Sequence, residues 1–362
     1  MARPLSLLIK PASGRCGLGC RYCFYADEMR RRERGDRGVM SEDTAGALLR
    51  AAFDHAAGSC TFAFQGGEPT LAGLDWFRRF VRRAEEENRG RLPLSWSLQT
   101  NGMLLDDEWC AFLRDKGFLV GLSLDGPRDL HDRYRSDGAG TGSLDRALAA
   151  GEMLQRAGVP VNALTVVTSR TAKRPETVYA WLRDRGYLWQ QYVPCIVPPG
   201  ERPEWTLTPG AWGEFLIRLF DAWERDLRAG RQIHVRTFES WVSLLGGHMP
   251  EECGTAGVCS AQYVVEADGD VYPCDFYALD EWSLGNVRDG FEAADERRRA
   301  LGFLERSETL PEDCRGCRWV QLCRGGCFLW RDETGKNRLC GGYRSFFSHA
   351  SERLLALAQT AR

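Results

Sequence analysis

The chain has 362 residues, of which 43% are hydrophobic, and a formal net charge of -2 at neutral pH. That length suits one large domain with an appendage, or two domains, and the near-neutral balance leaves no electrostatic footprint for nucleic acid. The sequence has no apolar run of about 18 residues to span a membrane and no signal-peptide pattern, so a cytoplasmic setting is expected.

Short apolar runs at residues 5–10, 60–64, 94–99, 119–124, 159–167 and 188–193 read as strands. Helices are predicted between them: from a Ser41 N-cap through Ala57, then over 75–89, 106–116, 143–157 and 177–185. Strands alternating with helices imply an α/β fold with a parallel sheet and right-handed crossovers. Six strands rather than eight point to an open or partial barrel, with its chemistry at the carboxyl ends of the strands. The basic run 30–34 is flanked by Asp27, Glu28 and Asp36 and reads as a solvated loop. Residues 194–209 carry five prolines and read as a linker before a helix over 211–227.

The motifs fall where the strands end. After the first strand comes KPASGRCGLGCRYCFY, with Cys16, Cys20 and Cys23 at C-x3-C-x2-C spacing. Three thiolates on one loop can hold three irons of a cubane and leave the fourth for a small molecule. Zinc would want a fourth protein ligand or a water, and the nearest histidine is His55. After the second strand comes Gln65-Gly66-Gly67-Glu68-Pro69. Its glycines let the backbone approach a ligand and Glu68 can receive an ammonium, although the same residues also form tight turns. The third strand ends in Gln99-Thr100-Asn101-Gly102 and the fourth in Ser123-Leu124-Asp125-Gly126. Both read as turn chemistry or as the lining of a pocket. His131, Arg133 and Arg135 suit either a carboxylate of a ligand or a cluster of ion pairs.

Fourteen cysteines without an export signal point to metal ligands rather than disulfides. Three lie in the N-terminal loop, and Cys60, Cys110 and Cys195 sit in apolar surroundings that suit buried inert thiols. The other eight crowd between Cys253 and Cys340, enough for two sites of four thiolates, whether zinc or iron–sulfur. A hairpin is predicted over 262–266 and 271–274.

With Tyr22 just before its last cysteine, the N-terminal loop resembles the signature of radical S-adenosylmethionine (SAM) enzymes. GGEP is similar to the motif that binds the methionine part of SAM in that family. The C-terminal cysteines resemble the SPASM domain, a twin-cluster extension. The fuller text LSLLIKPASGRC, CRYCFY, FQGGEPTL, SLDGP with HDRYR, QYVVEADGDVYPCDFY, LDEWSLGN and CRGCRWVQLCRGGC resembles the anaerobic sulfatase-maturating enzymes almost to the end of the chain.

That resemblance implies a partial (β/α)6 barrel of the radical SAM type over residues 1–235. Residues 236–362 would form a SPASM-type domain with two auxiliary iron–sulfur clusters and a C-terminal helix. It implies three [4Fe–4S] clusters: one on Cys16, Cys20 and Cys23, one on Cys253, Cys259, Cys274 and Cys327, and one on Cys314, Cys317, Cys323 and Cys340. Tyr22, Gly66, Gly67, Glu68, Ser123 and Asp125 would bind SAM. The implied reaction is abstraction of a Cβ hydrogen from a Cys or Ser of a bound polypeptide by a 5′-deoxyadenosyl radical. Loss of a proton and a further electron then leads to Cα-formylglycine. Asp275 is the expected proton acceptor, with Tyr25 and Gln65 orienting the substrate side chain. Expected partners are an unfolded sulfatase or peptide and an electron donor such as flavodoxin or ferredoxin, without nucleic acid or membrane. One rival is a SPASM enzyme that crosslinks a ribosomal peptide, although only 15 residues precede Cys16, too few for a leader-binding domain. Another is a zinc-ribbon binding protein.

Overall fold

The computed structural model describes residues 4–195, 197–198 and 200–360. Its strands are β1 (Leu5–Ile9), β2 (Cys60–Phe64), β3 (Leu94–Thr100), β4 (Leu119–Ser123), β5 (Val161–Val167), β6 (Trp189–Pro194), β7 (His234–Val235), β8 (Tyr263–Val265) and β9 (Val271–Tyr272). The six apolar runs become β1 to β6. Packing divides the chain into two compact units. Residues up to 123, 134–161 and 261–302 form the first, and residues 124–133, 162–260 and 303 onward form the second.

In the first unit β4, β3, β2 and β1 follow one another in a parallel sheet. Alternation explains β1: Leu5, Leu7 and Ile9 are buried, while Ser6 is exposed. The helix Glu42–His55 starts where its cap predicts, with Ser41 Oγ accepting from Thr44 N at 3.1 Å, a bond worth about 1 kcal/mol. Its Leu48, Leu49 and Ala52 join Phe62, Phe64, Phe77, Phe80 and Trp96 in the core. The predicted hairpin forms as β8 and β9, and it is not a separate module. Strand β8 pairs in parallel with β1, Leu7 opposite Tyr263 and Ile9 opposite Val265. The segment after the cysteine loop also departs from expectation. Phe24–Arg31 is a helix, and Arg32 at its end is buried, whereas Arg30, Arg31 and Arg34 are solvated. The buried face of this helix is Tyr25 and Glu28, a polar pattern that hydrophobic periodicity does not detect.

In the second unit β5, β6 and β7 pair in parallel. The helices Pro209–Arg228, Arg236–Leu245 and Cys340–Thr360 pack through Phe220, Phe238, Trp241 and Phe346. The first and last of these meet at Gly213 and Gly342, where a Cβ on Gly213 would lie 2.9 Å from Gly342 Cα. Cys60, Cys110 and Cys195 are buried and outside any disulfide. Of the proline-rich stretch 194–209, residues 196 and 199 lie outside the described residues. No helix among the described residues is long and apolar enough to cross a membrane.

Candidate active site

The cysteine loop leaves β1 at Lys10 and is held from beside by the segment after β2. Gly67 N donates to Ser13 O at 3.0 Å, and Glu68 N donates to Arg15 O at 2.7 Å. A Cβ on Gly67 would stand 2.1 Å from Arg15 O, and Gly66 has φ +125°, so both positions require glycine. The close approach that paired glycines predict is therefore an approach to the cysteine loop itself.

Glu68 is buried, and burial raises its carboxyl above the ordinary range. Its Oε1 accepts from Thr70 N (3.1 Å), Thr70 Oγ1 (2.6 Å) and Thr100 Oγ1 (2.8 Å), and its Oε2 accepts from Asn101 N (2.8 Å). The side chain expected to meet an ammonium is thus bonded to four of the protein's own donors, which lock GGEP to the end of β3. Tyr22 packs edge-on to Tyr134 with centroids 5.9 Å apart, and the Arg135 guanidinium lies 5.4 Å over its ring. Ser123 Oγ accepts from Gln99 Nε2 at 3.2 Å. In the second unit Asp125 Oδ1 accepts from Val166 N at 2.9 Å, and Asp125 N donates to His131 Nδ1 at 3.2 Å. Arg133 pairs with Glu204 at 3.0 Å on the surface.

The three residues expected to act on substrate are brought together. Asp275 follows Cys274, which caps the short 3-10 turn Asp275–Tyr277. Tyr25 OH donates to Asp275 Oδ2 at 2.5 Å, and Gln65 Nε2 reaches both Tyr25 OH (2.7 Å) and Asp275 Oδ2 (3.1 Å). Burial, reinforced by Asp275, raises the Tyr25 hydroxyl well above its ordinary range, so it keeps its proton and serves as a donor.

Behind this trio lies a charge network that sequence reasoning missed. Lys10 Nζ stands 3.1 Å from Asp275 Oδ1, 3.0 Å from Glu28 Oε2 and 3.6 Å from Glu266 Oε1. Arg32 bridges Glu266 (2.6 Å) and Glu28 (3.1 Å) and donates to Ala278 O. Burial alone would lower the Lys10 ammonium, but Asp275, Glu28 and Glu266 reverse that and hold it above its ordinary value. Burial pushes the Glu28 carboxyl up to about 7 against the pull of Lys10. Burial would also raise Glu266, yet Lys10 and Arg32 outweigh it and hold Glu266 below its ordinary value. The available signal was a charged residue at the end of each of two buried strands: Lys10 after β1 and Glu266 after β8.

None of the fourteen cysteines forms a disulfide among the described residues. Cys16 is exposed, and its Sγ accepts from Leu18 N and from Asn101 Nδ2, each at 3.4 Å. Cys20 and Cys23 are half-buried on the same loop. In the second unit Cys253, Cys259 and Cys327 line one small cavity together with Gly254, Gly257 and Gly326. Cys323 is raised by burial to about 11, with further contributions from Cys340, Cys314 and Cys317, so these four thiols form a second group. Cys274, half-buried, ends the hairpin beside Asp275. Burial raises Cys259 to about 11 and Cys327 to about 12; binding a metal as thiolates would release their protons. Among the described residues no three His, Cys, Asp or Glu converge closely enough to hold a single ion.

Comparison with known proteins places these features in a family. Residues 11–182 match the model of the radical SAM superfamily, and residues 253–318 match SPASM, an iron–sulfur cluster-binding domain. A cysteine-type anaerobic sulfatase-maturating enzyme of Clostridium perfringens is 38% identical, covering 99% of this chain and 100% of the relative. A serine-type enzyme of Bacteroides thetaiotaomicron is 30% identical over 97% of this chain and 90% of its own. The solved structure of native anSMEcpe with bound AdoMet and Cp18Cys peptide superimposes with a TM-score of 0.94 at 37% identity, covering 99% of this chain and all of the other. The α/β radical SAM fold with an iron–sulfur extension, expected from the motifs, is the fold of these proteins.

Proposed function

This chain belongs to the anaerobic sulfatase-maturating enzymes, and from that membership we propose that it oxidises a cysteine of a sulfatase polypeptide to Cα-formylglycine. It is a radical SAM oxidoreductase. The observation that carries the reading is the Asp275 carboxylate held by Tyr25 and Gln65 on one side and Lys10 on the other. Cysteine rather than serine is favoured as the target by the higher identity to the cysteine-type relative.

The cofactors in this reading are SAM and three [4Fe–4S] clusters. Cys16, Cys20 and Cys23 would hold the SAM-binding cluster, and Cys314, Cys317, Cys323 and Cys340 an auxiliary one. Cys253, Cys259 and Cys327 would supply ligands to the other auxiliary cluster. When bound, SAM and its cluster supply the radical that removes the substrate Cβ hydrogen. The protein's own residues manage the proton. Asp275, set by Tyr25 and Gln65 at Oδ2 and by the Lys10 ammonium 3.1 Å from Oδ1, takes the proton from the substrate thiol. Tyr22 and the backbone of Gly66 and Gly67 would line the SAM side, with Glu68 fixing that backbone. Ser123 and Asp125 complete the expected SAM contacts. The proposed functional division near residue 235 lies between the matched stretches 11–182 and 253–318. A peptide or unfolded sulfatase as partner, a flavodoxin- or ferredoxin-like donor and a cytoplasmic setting complete the proposal. The last is supported by fourteen cysteines with no disulfide among the described residues.

The test is an anaerobic assay with dithionite, SAM and a peptide carrying Cys-x-Pro-x-Arg, read by mass spectrometry. The expected result is an aldehyde at the cysteine together with 5′-deoxyadenosine. Asp275→Asn should keep its iron and its SAM cleavage while losing most of the aldehyde. Unchanged peptide oxidation in that variant would remove Asp275 from the role.

A further inference from the structure

Asn101, at the end of β3, makes more bonds than a turn residue needs. Its backbone N donates to Glu68 Oε2 at 2.8 Å, and its Oδ1 accepts from Met103 N at 2.9 Å. The second bond fixes the amide: with Oδ1 committed to a backbone donor, Nδ2 is the atom that faces the cysteine loop. That Nδ2 lies 3.4 Å from Cys16 Sγ. Asn101 is buried, so its side chain has little room to turn away. Thr100 strengthens the frame, donating to Glu68 Oε1 while its Oγ1 accepts from Gly102 N at 3.0 Å.

We propose that Asn101 is a positioning residue for the SAM-binding cluster, donating a hydrogen bond to the Cys16 thiolate and raising the cluster's reduction potential. A reduced cluster carries one more negative charge than an oxidised one. A donor aimed at a ligand sulfur therefore stabilises the reduced state more. The cluster must be reduced before SAM is cleaved, so the bond makes that reduction easier for a given donor. The turn at Met103 requires only Oδ1, which Asp or Ser can also supply. Only the bond to sulfur requires the amide nitrogen.

The proposal rests on the cluster assignment made above, and the experiment separates the two. In anaerobically prepared holoenzyme, the N-terminal cluster is identified as the paramagnetic signal that changes when SAM is added. Its midpoint potential is then measured by electron paramagnetic resonance titration in the wild type, Asn101→Asp and Asn101→Ser. Both variants keep an acceptor for Met103 N–H and remove the amide N–H that reaches the sulfur, serine leaving only a shorter hydroxyl. One hydrogen bond of about 1 kcal/mol is worth roughly fivefold in the oxidised-to-reduced equilibrium. The expected midpoint is therefore more negative by about 40 mV in Asn101→Ser, and by more in Asn101→Asp, which adds charge. An unchanged midpoint in both variants would overturn the proposal. So would loss of the SAM-sensitive signal from both with the auxiliary clusters intact, because Asn101 would then hold the loop rather than tune the sulfur. A wild type with no SAM-sensitive signal would instead defeat the cluster assignment.

Discussion

Gly67→Ala is the sharpest test of how the cysteine loop is built. The added methyl would stand 2.1 Å from Arg15 O and 2.4 Å from both Gly14 C and Gly14 O. All three are backbone atoms, so no side chain can swing aside, and the loop must retreat by more than an ångström to restore ordinary contact. That retreat breaks the bonds from Gly67 N to Ser13 O and from Glu68 N to Arg15 O. Each is worth about 1 kcal/mol, and more where a buried partner is left unpaired, so the local cost is roughly 2–4 kcal/mol. The loss falls on the residues that bring Cys16 into position rather than on the core. The expected protein is therefore folded and keeps about two-thirds of its iron, that of two of three four-iron clusters, with SAM cleavage abolished. Gly17→Ala is the control: it lies in the same loop, and its methyl meets no protein atom within 4 Å. It should retain both iron and SAM cleavage. Full iron and normal 5′-deoxyadenosine formation in Gly67→Ala would refute the view that the glycine pair exists to seat this loop.

Two further outcomes follow from the charges behind Asp275. Lys10→Met removes the ammonium that Asp275, Glu28 and Glu266 share and leaves Arg32 to pair with Glu28 and Glu266 only, so it should destabilise the fold by about 3–5 kcal/mol, read from the denaturation midpoint by circular dichroism. A loss below about 1 kcal/mol would show that Lys10 is not needed to neutralise them. Burial lifts Glu28 from an ordinary 4.5 to about 7, so between those values the folded chain holds a proton the unfolded chain has released. The stability this contributes is present below about 4.5 and is lost as pH rises through about 7. Glu28→Gln should accordingly flatten that fall in denaturation midpoints measured between pH 5.5 and 8, and an unaltered pH profile would count against the assignment.

Local signals made the framework legible. Alternating apolar residues marked β1 through β6, and the Ser41 cap marked where the following helix begins. Tyr25, Gln65 and Asp275 were reachable through family motifs, although 250 residues separate Tyr25 from its hydrogen-bond partner. The hairpin at 263–272 was visible as a hairpin, but its pairing with β1 was not. A parallel pairing between Leu7 and Tyr263 leaves no trace in the spacing of either segment. Glu68 shows the converse. Its motif suggested a ligand contact, but gave no sign of the hydrogen bonds by which its carboxylate joins two strand ends.

The pairing that the sequence concealed accounts for the position of Asp275. Because β8 adds to the edge of β1, Lys10 and Glu266 leave neighbouring strands at the same end of the sheet and come within 3.6 Å of each other. The chain then turns through β9 and delivers Asp275 to the same ammonium that Glu266 and Glu28 share. Lys10 itself begins the cysteine loop. One residue thus joins the segment carrying Cys16, Cys20 and Cys23 to Asp275, the proposed proton acceptor. A shift of β8 by one residue along β1 would turn Glu266 to the other face of the sheet and carry Asp275 away from Tyr25. The register Leu7–Tyr263 is therefore as much a part of the active site as the residues that touch the substrate.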